Sequence, residues 1–338
     1  MSVKKNKVMT NKEKELDKAI ISNDGKGHKE IKSKLDVPDK LYKYYTLNGN
    51  SASSLENETI HLSHPFTLND VLDGNFALTS DFERFFDLRP GLLSHYGGQR
   101  GLLTKLYTEF TKDWGVFSMC ETFDNDLIWS HYTSEEGFCI EFDSQKLFSS
   151  IGEPKKHIFP VSYDLDKIDF EDYIFEVNNE VDSWIPLIHS MASKEKCWSY
   201  ENEWRILVGK KDFSPISHKL HILDPEIKKE EFNKLKQRNL TYDVNAIQKV
   251  LLAPYFFNSG RFSKVNEKSN VLQYWFNKPL DNNLYKFLKK LKDDYNSKLY
   301  QVEKRYNSTS GKYKRRSDYK VKIMEVTEDY VEIKRVKI

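Results

Sequence analysis

Hydrophobic and polar positions along the chain predict short strands that alternate with helices. Runs of apolar and aromatic residues bounded by polar, Gly or Pro positions are typical of strands. These runs are 41–45, 59–63, 116–120, 137–142, 157–163, 203–208, 218–223, 247–253 and 271–276. Helical spacing is expected over 75–112, 125–132, 170–194 and 261–270. This mixture predicts an α+β fold, with a central mixed, mostly antiparallel sheet and flanking helices.

The C-terminal region has its own pattern. Apolar residues recur at spacings of three or four from Leu284 to Val302, which predicts an amphipathic helix. A polar, basic loop is expected over 307–317. Residues 319–326 and 330–338 then alternate apolar and polar positions around a Thr-Glu-Asp turn. The sequence therefore predicts a C-terminal helix followed by a β-hairpin.

Charge divides the chain into three segments. Residues 1–36 carry 10 basic against 6 acidic residues, and residues 284–338 carry 16 against 8, although the net charge of all 338 residues is +2. We therefore expect a polar N-terminal arm (1–36), an acidic core domain (37–283) and a basic C-terminal extension (284–338). Basic ends fit an anionic partner such as nucleic acid, or they keep the protein in solution.

Cysteine usage and hydropathy predict a cytoplasmic protein. Cys120, Cys139 and Cys197 are odd in number and widely spaced, which is typical of buried free thiols in a reducing compartment. No two of them have metal-ligand spacing, so no metal is expected. No apolar run of about 18 residues predicts a membrane helix, and the N-terminal residues do not have the pattern of a secretory signal.

Five short motifs occur in a fixed order in the core segment. They are LYKYY at 41–45, LSHPF at 62–66 leading to Asn69-Asp70, FSMC at 117–120 with DNDLIWSHY at 124–132, GFCIEFD at 137–143, and WSYENEWR at 198–205. A weaker sixth is VLLAP at 250–254. Over residues 41–257 this set resembles a widespread bacterial family of unknown function. Where that family has Asn-Asp-Pro-Phe-Glu, this chain has NDVLD, so Asp73 stands in the place of the acid.

A more distant similarity is to ADP-ribosyltransferases. Those enzymes place a basic residue on a first strand, Ser on a following strand and a Glu-x-Glu motif on a later one. Lys43, Ser63 and the pair Glu201/Glu203 occur in that order here. The resemblance implies an enzyme that consumes NAD as a substrate, and the bacterial distribution of the family suggests antiphage defence or a toxin effector.

Glu201 and Glu203 are the candidate catalytic residues. On a strand they point to the same face, where two carboxylates repel unless a cation lies between them. Such a carboxylate stabilises the oxocarbenium-like sugar formed when the nicotinamide bond breaks. Lys43 is expected to hold the pyrophosphate and Tyr44 to stack on nicotinamide. The alternative is a structural salt bridge from either acid to Arg205 or Lys43.

Further candidates lie in the middle of the chain. His131 is a candidate general base or phosphate ligand, and its neighbours Trp129 and Tyr132 are candidate ligand-binding residues. The alternative is that His131 is a hydrogen-bonded core residue and Trp129 a core anchor. Asn69 and Asp70 are binding candidates, although both residues also favour turns.

Two other functions are open from the sequence. Lys312, Lys314, Arg315 and Arg316 alternate with tyrosines, as in proteins that contact phosphates and stack on bases, which predicts a nucleic-acid-binding or sensor protein of a defence system. A solvated loop explains the same residues. Asp70, Glu141 and Glu203 would suit Mg²⁺ in a nuclease. The partners expected are thus nucleic acid or a protein acceptor.

Overall fold

The structure is a computed structural model. It describes residues 36–68, 73, 80–111, 113–153, 155–163, 168–170, 184–210, 238–268, 271–307 and 312–338. The N-terminal arm up to residue 35, the strand predicted at 218–223 and the helical positions 75–79 and 171–183 lie outside the described residues.

Strands and helices are interspersed along the described residues. The strands are β1 (Lys40–Tyr45), β2 (Thr59–His61), β3 (Ser80–Asp81), β4 (Trp114–Cys120), β5 (Phe138–Asp143), β6 (Lys155–Pro160), β7 (Ile168–Asp169), β8 (Glu203–Gly209), β9 (Asn239–Thr241), β10 (Ile247–Leu252), β11 (Phe262–Lys268), β12 (Val271–Phe276), β13 (Leu299–Asn307), β14 (Lys312–Val326) and β15 (Tyr330–Lys337). The α-helices are α1 (Gly49–Glu56), α2 (Glu83–Asp87), α3 (Pro90–His95), α4 (Gln99–Thr111), α5 (Asp126–Thr133), α6 (Ser144–Ser150), α7 (Trp184–Met191) and α8 (Asn282–Asp294).

The chain forms two compact units. The first contains the described residues of Met1–Val37, Leu62–Ser118 and Glu153–Asn239. The second contains Pro38–His61, Met119–Gly152 and the described residues of Leu240–Ile338.

In the second unit, strands lie in the order β11-β12-β15-β14-β13-β10-β5-β1. Neighbours pair antiparallel except β10 and β13, which are parallel. Helix α8 packs on this sheet through Leu284, Phe287, Leu288 and Leu291, which recur at helical spacing and are all buried. The Phe287 ring lies 4.7 Å from that of Phe138 on β5. The mixed, mostly antiparallel sheet with flanking helices confirms the predicted α+β class.

In the first unit, strands lie in the order β4-β8-β6. Strands β6 and β8 pair antiparallel, with Ile158 opposite Ile206. Every residue of β8 is buried. A separate cluster of phenylalanines packs α2 and α4 together, and the Phe82 and Phe170 rings lie 4.3 Å apart. The first residue of β8, Glu203, belongs to the candidate functional site.

Two sequence predictions about helices are wrong. Residues 262–268 form strand β11 rather than a helix, because they pair with β12 and Phe262 packs against Phe276, with ring centroids 5.6 Å apart. The C-terminal helix ends at Asp294, and Leu299 and Val302 lie on β13, where Leu299 pairs with Val250. Apolar residues keep the three- or four-residue spacing across the turn after Asp294, although the helix has ended there. The C-terminal helix and the β14–β15 hairpin themselves are confirmed.

Two further predictions are corrected. Within the predicted basic loop, the described residues are strand: Asn307 ends β13, and residues 312–317 belong to β14. Basic side chains do not prevent strand formation, because strands pair through backbone groups, as Tyr306 pairs with Tyr313. Of the three free cysteines, Cys120 and Cys139 are buried, but Cys197 is exposed on a short 3-10 helix.

Candidate functional site

A buried cluster of charges is the most unusual feature of the first unit. Its members, called the charge cluster below, are Asp73, Lys194, Glu201, Glu203 and Arg205. Their exposed fractions lie between 1% and 5%. Ionisable side chains are almost never fully buried unless they are paired. The contacts inside the cluster therefore decide what it does.

Two cations join three carboxylates in this cluster. Lys194 Nζ donates to Glu201 Oε2 at 2.7 Å and to Glu203 Oε2 at 3.2 Å. Arg205 binds Glu203 through both Nε (2.8 Å) and Nη2 (3.0 Å). Arg205 Nη1 donates to the Met191 carbonyl at 2.6 Å and lies 2.5 Å from Asp73 Oδ1. The Glu203 carboxylate thus lies between an ammonium and a guanidinium.

The local fold explains why two acids spaced by one residue meet on one lysine. Glu201 ends the 3-10 helix Lys196–Glu201, and Glu203 begins β8. Between them Asn202 has φ 43°, in the left-handed region that Asn tolerates better than most residues. The salt bridge from Glu203 to Arg205, which the sequence offers as the alternative, is present, and a turn rather than a continuous strand brings both acids onto one cation. The cation is Lys194, which the sequence argument did not single out.

Hydrogen bonds from neighbouring segments fix Glu203. The Glu203 backbone N–H donates to the Tyr163 hydroxyl at 2.9 Å, and the Ser118 side chain on β4 hydrogen-bonds the Glu203 carboxylate. Lys194 is held by its own backbone N–H, which donates to the Ser162 carbonyl at 3.0 Å. A rigidly held carboxylate is the kind of group that acts electrostatically without reorganisation.

The pKa shifts in the cluster follow from burial and pairing. Burial raises the pKa of Glu203, but Arg205, Lys194 and Ser118 outweigh this and lower it to about 2. Burial raises the pKa of Asp73 above its usual value, and Arg205 only partly opposes this. Burial lowers the pKa of Lys194, but Glu203 and Glu201 outweigh it and the net shift is upward. At neutral pH, Glu203 is therefore a carboxylate and Lys194 an ammonium.

Aromatic side chains lie beside this cluster. Lys194 Nζ is 4.8 Å from the centroid of the Trp198 ring, close enough for a cation–π contact. The rings of Trp198 and Tyr200 are 6.1 Å apart, and both side chains are partly exposed. The 3-10 helix therefore presents aromatic surface to solvent next to buried charge.

Candidates on β1 and in the WSHY motif lie in the second unit. Tyr44 is 7% exposed and its hydroxyl donates to the Thr122 carbonyl at 2.8 Å. Trp129 is fully buried, its Nε1 donates to the Phe123 carbonyl at 2.6 Å, and its ring meets Tyr44 edge-on. Both rings are thus part of the packing.

The remaining candidates lie on several different elements. Lys43 is partly exposed on β1, whereas His131 and Tyr132 lie on α5, with His131 exposed. Ser63, in the first unit, pairs its backbone with Val116. Asn69 and Asp70 lie outside the described residues. Lys312, Lys314, Arg315 and Arg316 lie on β14, where Glu303 pairs with Arg316.

Glu141, the acid considered for a nuclease, is held by cations of the second unit. Its carboxylate lies 3.1 Å from both Lys40 Nζ and Lys249 Nζ and accepts from the Tyr42 hydroxyl at 3.2 Å. Glu203 lies in the first unit. Within the described residues, no group of three or more His, Cys, Asp or Glu side chains could hold a metal ion.

Three participants in the site were missed or only partly identified from the sequence. Lys194 has no motif that distinguishes it from other lysines, and the FSMC motif around Ser118 does not assign that serine a role. Asp73 is the acid of the altered motif, and its ion pair with Arg205 explains why an acid lies at that position. Their roles depend on segments that are distant in sequence, so only the fold could reveal them.

The fold and site define an α+β protein with a buried carboxylate–cation cluster. Residues 128–206 match a family described as a protein of unknown function (DUF2971). The match confirms the resemblance to a family of unknown function, and it includes Lys194, Glu201, Glu203 and Arg205. No curated protein and no solved structure matches the chain. Among the described residues, no helix combines the length and apolar character needed to cross a membrane.

Proposed function

We propose that this protein is an ADP-ribosyltransferase-like enzyme that consumes NAD, with Glu203 as its central catalytic carboxylate. The observation that carries the proposal is the arrangement of Glu201 and Glu203 around Lys194 Nζ, at 2.7 and 3.2 Å. It brings the two acids of a Glu-x-Glu motif together in fixed geometry. The proposal uses residues of the first unit alone.

The chemistry requires a charged carboxylate. When the bond between ribose C1′ and the nicotinamide nitrogen breaks, its electron pair leaves with nicotinamide and the sugar gains oxocarbenium character. An acceptor nucleophile then bonds to C1′ and loses its proton. With a pKa lowered to about 2, Glu203 stays negative at neutral pH and stabilises the developing positive charge. Glu201, on the same ammonium, is the group assigned to receive the acceptor's proton.

NAD must reach a carboxylate that is 4% exposed. The route in this proposal passes the 3-10 helix Lys196–Glu201, because its Trp198 and Tyr200 rings are partly exposed. Aromatic faces of this kind stack on planar rings such as nicotinamide. Exclusion of water around Glu203 strengthens its interaction with a developing cation.

The test must separate catalysis from structure. Glu203→Gln alone leaves Arg205 without its bidentate partner, and breaking a buried ion pair costs about 3–5 kcal/mol. The sharper variant is Glu203→Gln with Arg205→Met, because it leaves the Lys194–Glu201 pair, and the raised pKa of Asp73 favours a neutral carboxyl beside Met. We expect the purified double variant to remain folded and to lose NAD consumption, assayed by nicotinamide release with and without protein or nucleic-acid acceptors.

A matched pair of substitutions controls for the loss of any ion pair. Lys290 Nζ lies 3.3 Å from Glu58 Oε1 in the second unit. Glu58→Gln with Lys290→Met likewise replaces one acid by Gln and one base by Met there, and it should leave NAD consumption intact. A wild-type protein that leaves NAD intact with every acceptor, or a fully active Glu203→Gln/Arg205→Met variant, rejects the proposal.

The proposed role in cells is that of a toxin or antiphage effector, because an enzyme that drains NAD stops growth. Induced expression of the wild type in a bacterial host should lower cellular NAD and arrest growth. The Glu203→Gln/Arg205→Met variant, made to the same level, should do neither. Growth arrest that persists with this variant would separate any toxicity from NAD chemistry.

A further inference from the structure

One face of the sheet in the second unit carries a row of lysines with a tyrosine among them. This lysine face consists of Lys249 on β10, Tyr300 on β13, Lys320 and Lys322 on β14, and Lys334 on β15. Tyr300 pairs with Lys320, and Lys322 pairs with Lys334. Residues directly opposite each other on paired strands point to the same face, so these four side chains share one face.

Lys249 belongs to the same face. Its Nζ lies 5.6 Å from the centroid of the Tyr300 ring and 3.1 Å from Glu141 Oε2. Strands β10, β13, β14 and β15 are consecutive neighbours in the sheet. With a strand spacing of about 4.8 Å, the lysine face spans about 14 Å across the strands.

The opposite face of these strands is apolar and buried. Val321, Ile323, Val331 and Ile333 alternate with the lysines and are at most 1% exposed. Helix α8 packs on the face of the sheet to which Phe138 points. Phe138 and Glu141 are three residues apart on β5, so they point to opposite faces, and α8 lies opposite the face of Glu141. The sheet thus has one face that forms the core, whereas Lys320, Lys322 and Lys334 are exposed.

Glu141 balances the charge of Lys249, but the other three lysines of this face differ. Within the described residues, no acidic side chain forms an ion pair with Lys320, Lys322 or Lys334. Lys322 lies directly opposite Lys334, and like charges in that position destabilise a sheet. An anion bound between them would remove that repulsion.

Two acids near the β14–β15 turn have hydrogen-bond partners of their own. Glu325 accepts from the Tyr330 hydroxyl at 3.0 Å, and Glu332 accepts from the Gln273 amide at 3.0 Å. Both lie nearer the β14–β15 turn than the lysines do. Both donors are neutral, so the two glutamates keep their negative charge and bound the positive patch at that end.

We propose that the lysine face binds single-stranded nucleic acid. Lys320, Lys322 and Lys334 would contact phosphates, and Tyr300 supplies a ring on which a base stacks, the combination found in sequence-tolerant single-strand binding. An open sheet face gives bases access to the Tyr300 ring. A patch that contacted phosphates alone would not need such a ring. This proposal does not rest on the NAD chemistry, and its residues differ from the basic positions 312–316, which precede them on β14.

Binding of fluorescently labelled oligo-U and oligo-dT to the full chain tests the proposal. We expect binding that weakens with salt between about 50 and 200 mM. Lys320→Gln/Lys322→Gln/Lys334→Gln should weaken it at least about tenfold and reduce the slope of log K against log salt by about 2, from roughly 0.7 for each lost phosphate contact. Tyr300→Leu should weaken it about fivefold or more, and Tyr300→Phe should not.

The control removes the same number of charges elsewhere. Lys286→Gln/Lys289→Gln/Lys292→Gln changes helix α8, on the other side of the sheet. It should leave the affinity and the salt slope within about twofold of the wild type, because long-range charge is screened beyond about 10 Å. Circular dichroism of every variant establishes that the sheet is intact.

Several outcomes would overturn the proposal. They are no binding at the lowest salt, an equal loss in the α8 control, and an equal loss in Tyr300→Phe and Tyr300→Leu. Tighter binding to anionic lipid vesicles or to polyglutamate than to the oligonucleotides would assign the face to a membrane or to an acidic peptide instead. A failure here leaves the NAD assay unaffected, and a failure of that assay leaves this proposal standing.

Discussion

Arg205 shows how much a single residue can depend on its partners. Its guanidinium is 1% exposed and contacts Glu203, Asp73 and a backbone carbonyl. A buried ion pair often contributes little to stability compared with well-packed apolar residues, but removing one partner leaves the other charge buried and unpaired. The stability effect of a substitution here therefore depends on whether the partner changes with it.

We predict strong coupling between Arg205 and Glu203. Arg205→Met should lower the free energy of unfolding by about 3–5 kcal/mol, because it leaves Glu203 with fewer buried donors. Glu203→Gln in the Arg205→Met background should recover much of that loss. Urea unfolding of the wild type, both single variants and the double variant measures the coupling. Additive losses would show that the two side chains act independently.

The burial of His64 predicts that the stability of the protein depends on pH. Burial and then Arg238 lower the pKa of His64 to about 3, whereas an unfolded histidine has a pKa near 6.5. Between these values the unfolded state binds the extra proton, so stability falls as the pH drops below about 6.5, by about 1.4 kcal/mol per pH unit for this one group. His64→Gln should show a shallower loss between about pH 6.5 and 5, measured by urea unfolding. Equal slopes would contradict the assignment.

At this scale the sequence identified some roles and missed others. The Glu-x-Glu spacing predicted two acids around a cation, and the structure realises it because Asn202 adopts a left-handed conformation. The sequence offered Arg205 or Lys43 as the cation, and the structure adds Lys194, seven residues before Glu201. A lysine that reaches a site through the path of the backbone has no local signature.

Gly137 gives a prediction at the level of elements, where α5 leads into β5. A Cβ at this position would lie 2.1 Å from the Tyr45 carbonyl oxygen, on the neighbouring strand β1. Because backbone on both sides must move, Gly137→Ala should destabilise the protein by about 3 kcal/mol. Gly152→Ala is the control, since nothing lies within 4 Å of its Cβ. Thermal unfolding of both variants decides, and equal melting temperatures would contradict the close approach.

Elements with an apolar face were predictable, and elements formed by pairing were less so. Helix α8 has buried residues at 284, 287, 288 and 291, a spacing that only a helix brings to one face. Strand β11 carries Ser, Lys, Asn and Glu, and its strand conformation comes from pairing with β12. Local sequence does not contain the partner, so the helix expected there was wrong.

The order of strands is the property of the whole chain that the sequence could not supply. Strand β10 lies between β5 and β13, antiparallel to one and parallel to the other. Hydrophobic alternation fixes which face of a strand is buried, but it leaves the neighbours undetermined. The face assignments of Lys320, Lys322 and Lys334 likewise became visible only from the register of β14 and β15.

The last prediction concerns the C-terminal segment as a part of the molecule. The sequence suggests that residues 284–338 are an extension of a core domain. In the structure, β13 pairs with β10, β15 pairs with β12, and α8 buries Leu284, Phe287, Leu288 and Leu291. A chain that ends at residue 283 would therefore expose the edges of β10 and β12 together with the face that α8 covers.

We expect the chain 1–283 to lose cooperative unfolding and to aggregate, because an uncovered apolar sheet face and unpaired strand edges promote association. A chain that lacks only Ile338, which is 74% exposed and lies beyond β15, should behave like the wild type. Calorimetry and size-exclusion chromatography of both chains give the answer. If the 1–283 chain instead unfolds cooperatively near the wild-type temperature, the C-terminal strands are an addition to a domain that is stable without them.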